Sequence, residues 1–197
     1  MAITHLLYLH GFRSSPQSAK ARQVAARVHA DHPDVTWWCP QLPPSPQAAM
    51  NMVLQGISAW PQAAMAVVGS SLGGFYATSV AQAVGCSAVM LNPAVHPARD
   101  LAKYIGEQVS WHDPNERFFF EPAFVDQLRA LETGPLLHPE KCFAVIAKGD
   151  EVLDWREMTA RYAGARIKLL EGSDHALTDF DAHIDEVFDF LDLLPGL

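Results

Sequence analysis

Apolar residues along this chain come in short unbroken runs, each followed by a turn and then by a stretch with helical spacing. Leu6-Leu7-Tyr8-Leu9 is the first run, and His10-Gly11 stops it. Residues 17–29 follow, with Ala21, Val24, Ala25 and Val28 on one helix face. Residues 35–39 are rich in β-formers and end at Pro40. Ser45 before Pro46 reads as an N-cap and first helical residue, opening a helix to about residue 58. Residues 64–68, 88–91, 142–147 and 166–170 repeat the strand signal. Residues 74–84, 155–162 and 180–194 repeat the helical one. Between 94 and 140 the rhythm breaks. That segment holds several prolines, the run Phe118-Phe119-Phe120, and helix patterns near 98–108 and 122–132.

Strands that are continuously apolar, rather than alternating, are buried on both faces, as in a parallel sheet covered by helices. The alternation of strand and helix predicts one α/β domain over residues 1–197, with 94–140 as a cap-like insertion. Sites in such sheets lie beyond the carboxyl ends of the strands. The places to search are therefore just after Leu9, Val68, Leu91, Ala147 and Leu170.

Composition narrows the function. Hydrophobic residues make up 49% of the chain and charged ones 18%, enough for a folded core. The net charge of −8 excludes a broad electrostatic attraction to nucleic acid or an anionic membrane. Three scattered cysteines make neither a disulfide framework nor a paired-cysteine zinc site. No leader pattern stands at the N-terminus, and no run approaches the ~18 apolar residues that span a bilayer. A cytoplasmic protein is expected. His5, His29, His32, His96, His112, His138 and His183 show no metal-ligand spacing, so neither metal nor organic cofactor is expected.

The chemistry gathers at the strand ends. After Val68 comes Gly69-Ser70-Ser71-Leu72-Gly73, a G-x-S-x-G pattern between strand and helix. That context is a nucleophile elbow: Ser71 stands on a sharp turn, and Gly69 and Gly73 relieve the collisions such a turn creates. Serine needs a base and a group to orient that base. His175 follows the 166–170 strand within Gly172-Ser173-Asp174-His175. Asp150 and Asp154 both follow the 142–147 strand, and either could reach His175. Asp150 is favoured. It lies three residues past the strand, whereas Asp154, before Trp155 and three residues ahead of Glu157, has the place of a capping-box N-cap. The order Ser71, Asp150, His175 is that of the α/β-hydrolases. At the end of the first strand, His10-Gly11-Phe12 places the Phe12 N–H beside that of Leu72 as the pair of oxyanion donors. His10 is expected to shape that loop rather than to act in the chemistry.

These motifs, His10-Gly11-Phe12, Gly69–Gly74, Gly149–Asp154 and Gly172–His175, resemble those of the small bacterial YqiA/YcfP-like esterases. The resemblance covers essentially the whole chain. It implies a compact α/β-hydrolase fold that begins at the oxyanion-loop strand, acting on small-molecule esters or thioesters. Two rival readings remain open from sequence: a non-catalytic binding protein on the same fold, and a peptidase or acyltransferase with the same three residues.

Overall fold

The structure, a computed structural model, describes residues 2–193. Six strands form one sheet: β1 (His5–Leu9), β2 (Thr36–Trp38), β3 (Met65–Ser70), β4 (Ser87–Leu91), β7 (Cys142–Ala147) and β8 (Arg166–Leu170). Their spatial order is β2-β1-β3-β4-β7-β8, and every neighbouring pair is parallel. Each connection between parallel strands must cross the sheet, and the helices α1 (Ala19–Asp31), α2 (Pro46–Gly56), α3 (Leu72–Val84), α6 (Trp155–Arg161) and α7 (Ile184–Phe190) lie on these crossovers or close the chain.

The strand side chains divide between two cores. Leu6, Tyr8, Ala66, Val68, Val89, Leu91, Phe143 and Val145 face α1 and α7, burying Ala21, Val24, Val28, Ile184, Val187 and Phe188. Leu7, Leu9, Val67, Ala88, Met90, Ala144 and Ile146 face the other way, against α2, α3 and α6. This period-two division is why β3 and β7 read as unbroken apolar runs: both faces are covered. The fold is that of the α/β-hydrolases.

Between β4 and β7 lie α4 (Pro97–Leu101), a 3-10 turn (Ala102–Tyr104), the antiparallel hairpin β5 (Gly106–Val109) and β6 (Arg117–Phe120), and α5 (Pro122–Ala130). The helix expected over residues 98–108 is corrected here. It ends at Leu101, because Gly106 takes φ +127° and the residues after it pair with β6. Apolar spacing at Ala98, Leu101, Ala102 and Ile105 imitates a helix, and strand pairing overrides it. Residues 118–120 are strand, so they alternate: Phe120 is buried, Phe118 partly so, and Phe119 faces solvent.

Two smaller differences concern boundaries. The closing helix expected over 180–194 is broken: Phe180–Ala182 is a 3-10 turn, His183 leaves helical geometry, and the helix proper spans Ile184–Phe190. Residue 194, its expected end, lies outside the described residues. The Asp154 N-cap forms, with the carboxylate accepting from the Arg156 N–H at 2.9 Å. Glu157, however, does not reach back to complete a capping box. It takes both nitrogens of the Arg99 fork, at 2.8 and 2.7 Å, because a bidentate ion pair outcompetes a single backbone N–H.

Candidate active site

Ser71 joins β3 to α3 in a backbone conformation, φ 56° and ψ −119°, that ordinary residues avoid. Its neighbours hold it there. Its N–H donates to the Leu91 carbonyl at 3.0 Å, and its own carbonyl accepts from Ala94 at 3.0 Å and Gly74 at 2.9 Å. The turn is so tight that a Cβ on Gly69 would stand 2.0 Å from the Gly73 carbonyl oxygen. One on Gly73 would stand 1.9 Å from that of Leu9. Glycine at both positions is a steric necessity. The turn lifts the Ser71 hydroxyl to the head of α3.

His175 comes to it from the loop after β8. Its Nε2 is 3.0 Å from Ser71 Oγ, and its Nδ1 is 2.7 Å from Asp150 Oδ2. Asp150 has a fully buried side chain, 0% exposed. Its other oxygen accepts the Val152 and Leu153 N–H groups, both at 2.8 Å. With that oxygen occupied, Oδ2 accepts the Nδ1 proton, which leaves the Nε2 lone pair facing the serine. The structure brings Ser71, His175 and Asp150 together, and Asp154 stands apart as the cap of α6.

Three further residues hold the His175 loop, a role that no motif in the sequence assigns to them. Asn92 sits just past β4, fully buried, with φ 41°. Its amide donates to the carbonyls of Asp174 (2.9 Å) and His175 (3.2 Å), and its oxygen accepts the Ala147 N–H (2.8 Å). One side chain thus ties the ends of β4 and β7 to the histidine loop. The strand-end rule pointed at this position through Leu91. Glu151 accepts the His175 N–H at 3.0 Å. Lys20, on α1, donates to the Ala176 carbonyl. Burial pushes its ammonium pKa down to about 8, against the pull of Asp174 and Asp150. No pattern in the sequence links Lys20 to a loop 156 residues away.

On the other side of Ser71 stands the loop after β1. His10 is buried; its Nε2 accepts the Leu42 N–H at 3.0 Å and its Nδ1 lies 3.0 Å from the Gly11 carbonyl. Only the neutral ring protonated at Nδ1 satisfies both contacts, and burial accordingly holds its pKa below the ordinary imidazole value. The Gly11 carbonyl also accepts the Ser14 N–H at 3.2 Å. In a trans peptide, C=O and N–H point in opposite directions, so fixing the Gly11 oxygen aims the Phe12 N–H away from His10. Among the described residues neither Phe12 N–H nor Leu72 N–H has a backbone acceptor.

Ser71 and His175 open into a cavity of about 180 Å³ lined by Leu101, Tyr104 and Leu153, with Trp111 at its edge. A larger cavity of about 330 Å³ lies beyond Phe12 and Leu72, which face both. Phe118 lines the larger one, and Phe12 packs edge-on against Phe118 and Phe120 at 5.9 and 5.3 Å. Among the described residues no group of three or more His, Cys, Asp or Glu side chains is arranged to hold a metal ion, and no helix is long and apolar enough to cross a membrane.

Solved structures share this architecture. A protein of Agrobacterium vitis S4 is 16% identical, covers 97% of this chain and 91% of its own, and superposes with a TM-score of 0.76. Mouse α/β hydrolase domain-containing protein 10 is 15% identical over 95% of this chain and 90% of its own, with a TM-score of 0.68. Est1E from Butyrivibrio proteoclasticus, solved with ferulic acid bound, is 12% identical over 97% and 88%, with a TM-score of 0.67. At such identities the likeness is one of fold. A family model carries the match further: the Uncharacterised protein family UPF0227 matches residues 5–192, so the chain belongs to this YqiA/YcfP-like family.

Proposed function

We propose that the protein is a serine hydrolase of carboxylic esters or acyl thioesters, with Ser71 as nucleophile, His175 as base and Asp150 as the residue that orients it. The observation that carries this reading is the continuous contact from Asp150 Oδ2 through both ring nitrogens of His175 to Ser71 Oγ, at 2.7 and 3.0 Å. His175 Nε2 removes the hydroxyl proton as Oγ attacks the carbonyl carbon. The oxyanion is held by the Phe12 and Leu72 N–H groups, the second at the positive end of α3. Nε2 then returns the proton to the leaving alcohol or thiol. Water, deprotonated by the same nitrogen, attacks the acyl-enzyme, and Ser71 leaves with the proton.

Gly11 leaves room for the substrate, since a Cβ there would stand 3.3 Å from Ser71 Cβ and 3.8 Å from its Oγ. Residues 94–140 act as the cap: α4, the following turn and Trp111 border the serine cavity, while α5 buries Phe124, Val125 and Leu128 in the core beneath. The free thiols of Cys39, Cys86 and Cys142 suit the reducing cytoplasm.

Fluorophosphonate labelling tests the proposal. Covalent modification at Ser71, with turnover of p-nitrophenyl esters or acyl thioesters, is the expected result. A folded protein that neither labels nor turns over either series is a binding protein on a hydrolase fold. Cleavage of peptides alone, or acyl transfer to an added alcohol in preference to water, identifies a peptidase or acyltransferase instead.

A further inference from the structure

Arg13 follows the oxyanion-loop residue Phe12 and faces both cavities. Its backbone is left-handed, φ 60°, a conformation that costs energy in a residue with a side chain. Three contacts keep it there. Its carbonyl accepts the Trp111 N–H at 2.8 Å, its Nε donates to the Val109 carbonyl at 2.7 Å, and its Cζ lies 4.0 Å from the centre of the Trp111 ring. The guanidinium is thereby fixed along one edge and one face. Its two terminal nitrogens carry four of its five N–H groups, and among the described residues they have no hydrogen-bond acceptor.

That lack is unusual in this chain. Arg27, Arg99, Arg117, Arg129, Arg156 and Arg166 each lie within 4.0 Å of a carboxylate. Arg161 bonds the Thr133 hydroxyl at 2.8 Å. Arg22 shares the lack, but it is exposed on α1 and faces neither cavity. Acidic partners are not scarce, since Asp and Glu number 22 against 14 Lys and Arg. A half-buried guanidinium, always charged and fixed in place, is left open beside the serine. Removing a charge from water without a partner is unfavourable, and its free fork matches a carboxylate.

The other charges around the serine cavity leave the same balance. Among the described residues Lys103 faces it with no carboxylate within 4.0 Å, its ammonium 5.2 Å from the Tyr104 ring centre. Asp100 faces it as well, but Arg99 already holds that carboxylate at 2.8 Å. Glu116 lines only the larger cavity.

We infer that the substrate carries a carboxylate on its acyl chain and that Arg13 binds it, making short dicarboxylic half-esters or half-thioesters the substrate class. This rests on the hydrolase reading of Ser71. The anion belongs to the acyl side because the carbonyl oxygen is directed at Phe12, next to Arg13, whereas the leaving group must face His175 to receive its proton. A short chain fits, since a cavity of about 180 Å³ is well below the ~300–1,000 Å³ of drug-sized ligand pockets.

The test compares mono-p-nitrophenyl glutarate with p-nitrophenyl pentanoate, which has the same number of acyl carbons and no charge, after subtraction of buffer rates. The ratio of their kcat/KM values is taken within each protein, so a general loss of cap packing cancels. The wild type is expected to favour the glutarate by about tenfold or more, the scale of a charge-assisted hydrogen bond. In Arg13→Gln the ratio should fall to near one, chiefly through KM, and Arg13→Lys should lie between. Equal ratios in wild type and Arg13→Gln, with the pentanoate still cleaved, overturn this inference and leave the hydrolase reading standing. A larger, Arg13-dependent preference for acetylated 4-hydroxybenzoate over p-nitrophenyl acetate overturns the acyl assignment. No cleavage of any ester and no fluorophosphonate labelling of the folded protein overturns both readings.

Discussion

Ser71 and Ser70 are adjacent hydroxyls in opposite situations. Ser70 ends β3 and is buried, while Ser71 is lifted onto the elbow. On the proposed reading, Ser71→Ala should lower kcat for an ester by ~10⁶ with an unchanged melting temperature, because members of such a triad act as a unit. Ser70→Ala should remain active. An inactive Ser70→Ala beside an active Ser71→Ala would place the nucleophile one residue earlier. The two aspartates separate in the same way. Asp150→Asn would present an N–H to His175 Nδ1 and drive the ring to the wrong tautomer, costing ~10⁴ in kcat at little cost in stability. Asp154→Ala loses the α6 cap and should cost ~0.5–2 kcal/mol of stability while turnover persists. Kinetics and melting curves of both variants decide between them.

At the scale of elements, the site is a meeting of loops that the sheet holds in register. β7 and β8 pair from Phe143↔Arg166 to Ala147↔Leu170, so the loops after them leave side by side. Gly149 is where they touch: a Cβ there would stand 2.1 Å from the Ser173 carbonyl oxygen. Gly149→Ala must push the Asp150 loop away from the His175 loop. A misplacement of about an ångström costs ~10²-fold in rate, so kcat should fall by about that factor while β7 and β8 stay paired. A variant with wild-type kcat would show that the two loops yield without disturbing the aspartate–histidine contact. The hairpin β5–β6 carries the opposite lesson. Helical spacing at Ala98, Leu101, Ala102 and Ile105 runs up to β5 and hides it, and only the pairing of residues 106–109 with 117–120 makes them strands.

For the whole molecule, pH acts on the fold. His10 is neutral in the folded protein, with a pKa below the ordinary imidazole value, and its Nε2 lone pair is committed to Leu42. The unfolded chain takes up a proton at this residue below about pH 6.5 and the folded chain resists doing so. Protons bound to the unfolded state then exceed those bound to the native state. Stability therefore falls as pH drops below that value. Melting temperatures across pH 5–8 should show this decline, and His10→Gln, which has no such proton to take up, should show a shallower one. Parallel slopes in the two proteins would assign the acid sensitivity to other groups.

The sequence by itself determined the sheet and pointed to most of the candidate site. Buried strands must be apolar on both faces, an elbow must have glycines at Gly69 and Gly73, and a parallel sheet gathers its loops at one edge. Ser71, Asp150 and His175 could be found from those rules because each follows directly after a strand whose end fixes its position. The tertiary structure alone decided what comes from elsewhere in the chain. Lys20 reaches the His175 loop from α1, Asn92 ties two strand ends to it, and Arg13 owes its fixed, open guanidinium to Val109 and Trp111 of the hairpin. Contacts between residues distant in sequence leave no local pattern, since neither partner needs to differ from an ordinary surface or turn residue until folding brings the two together.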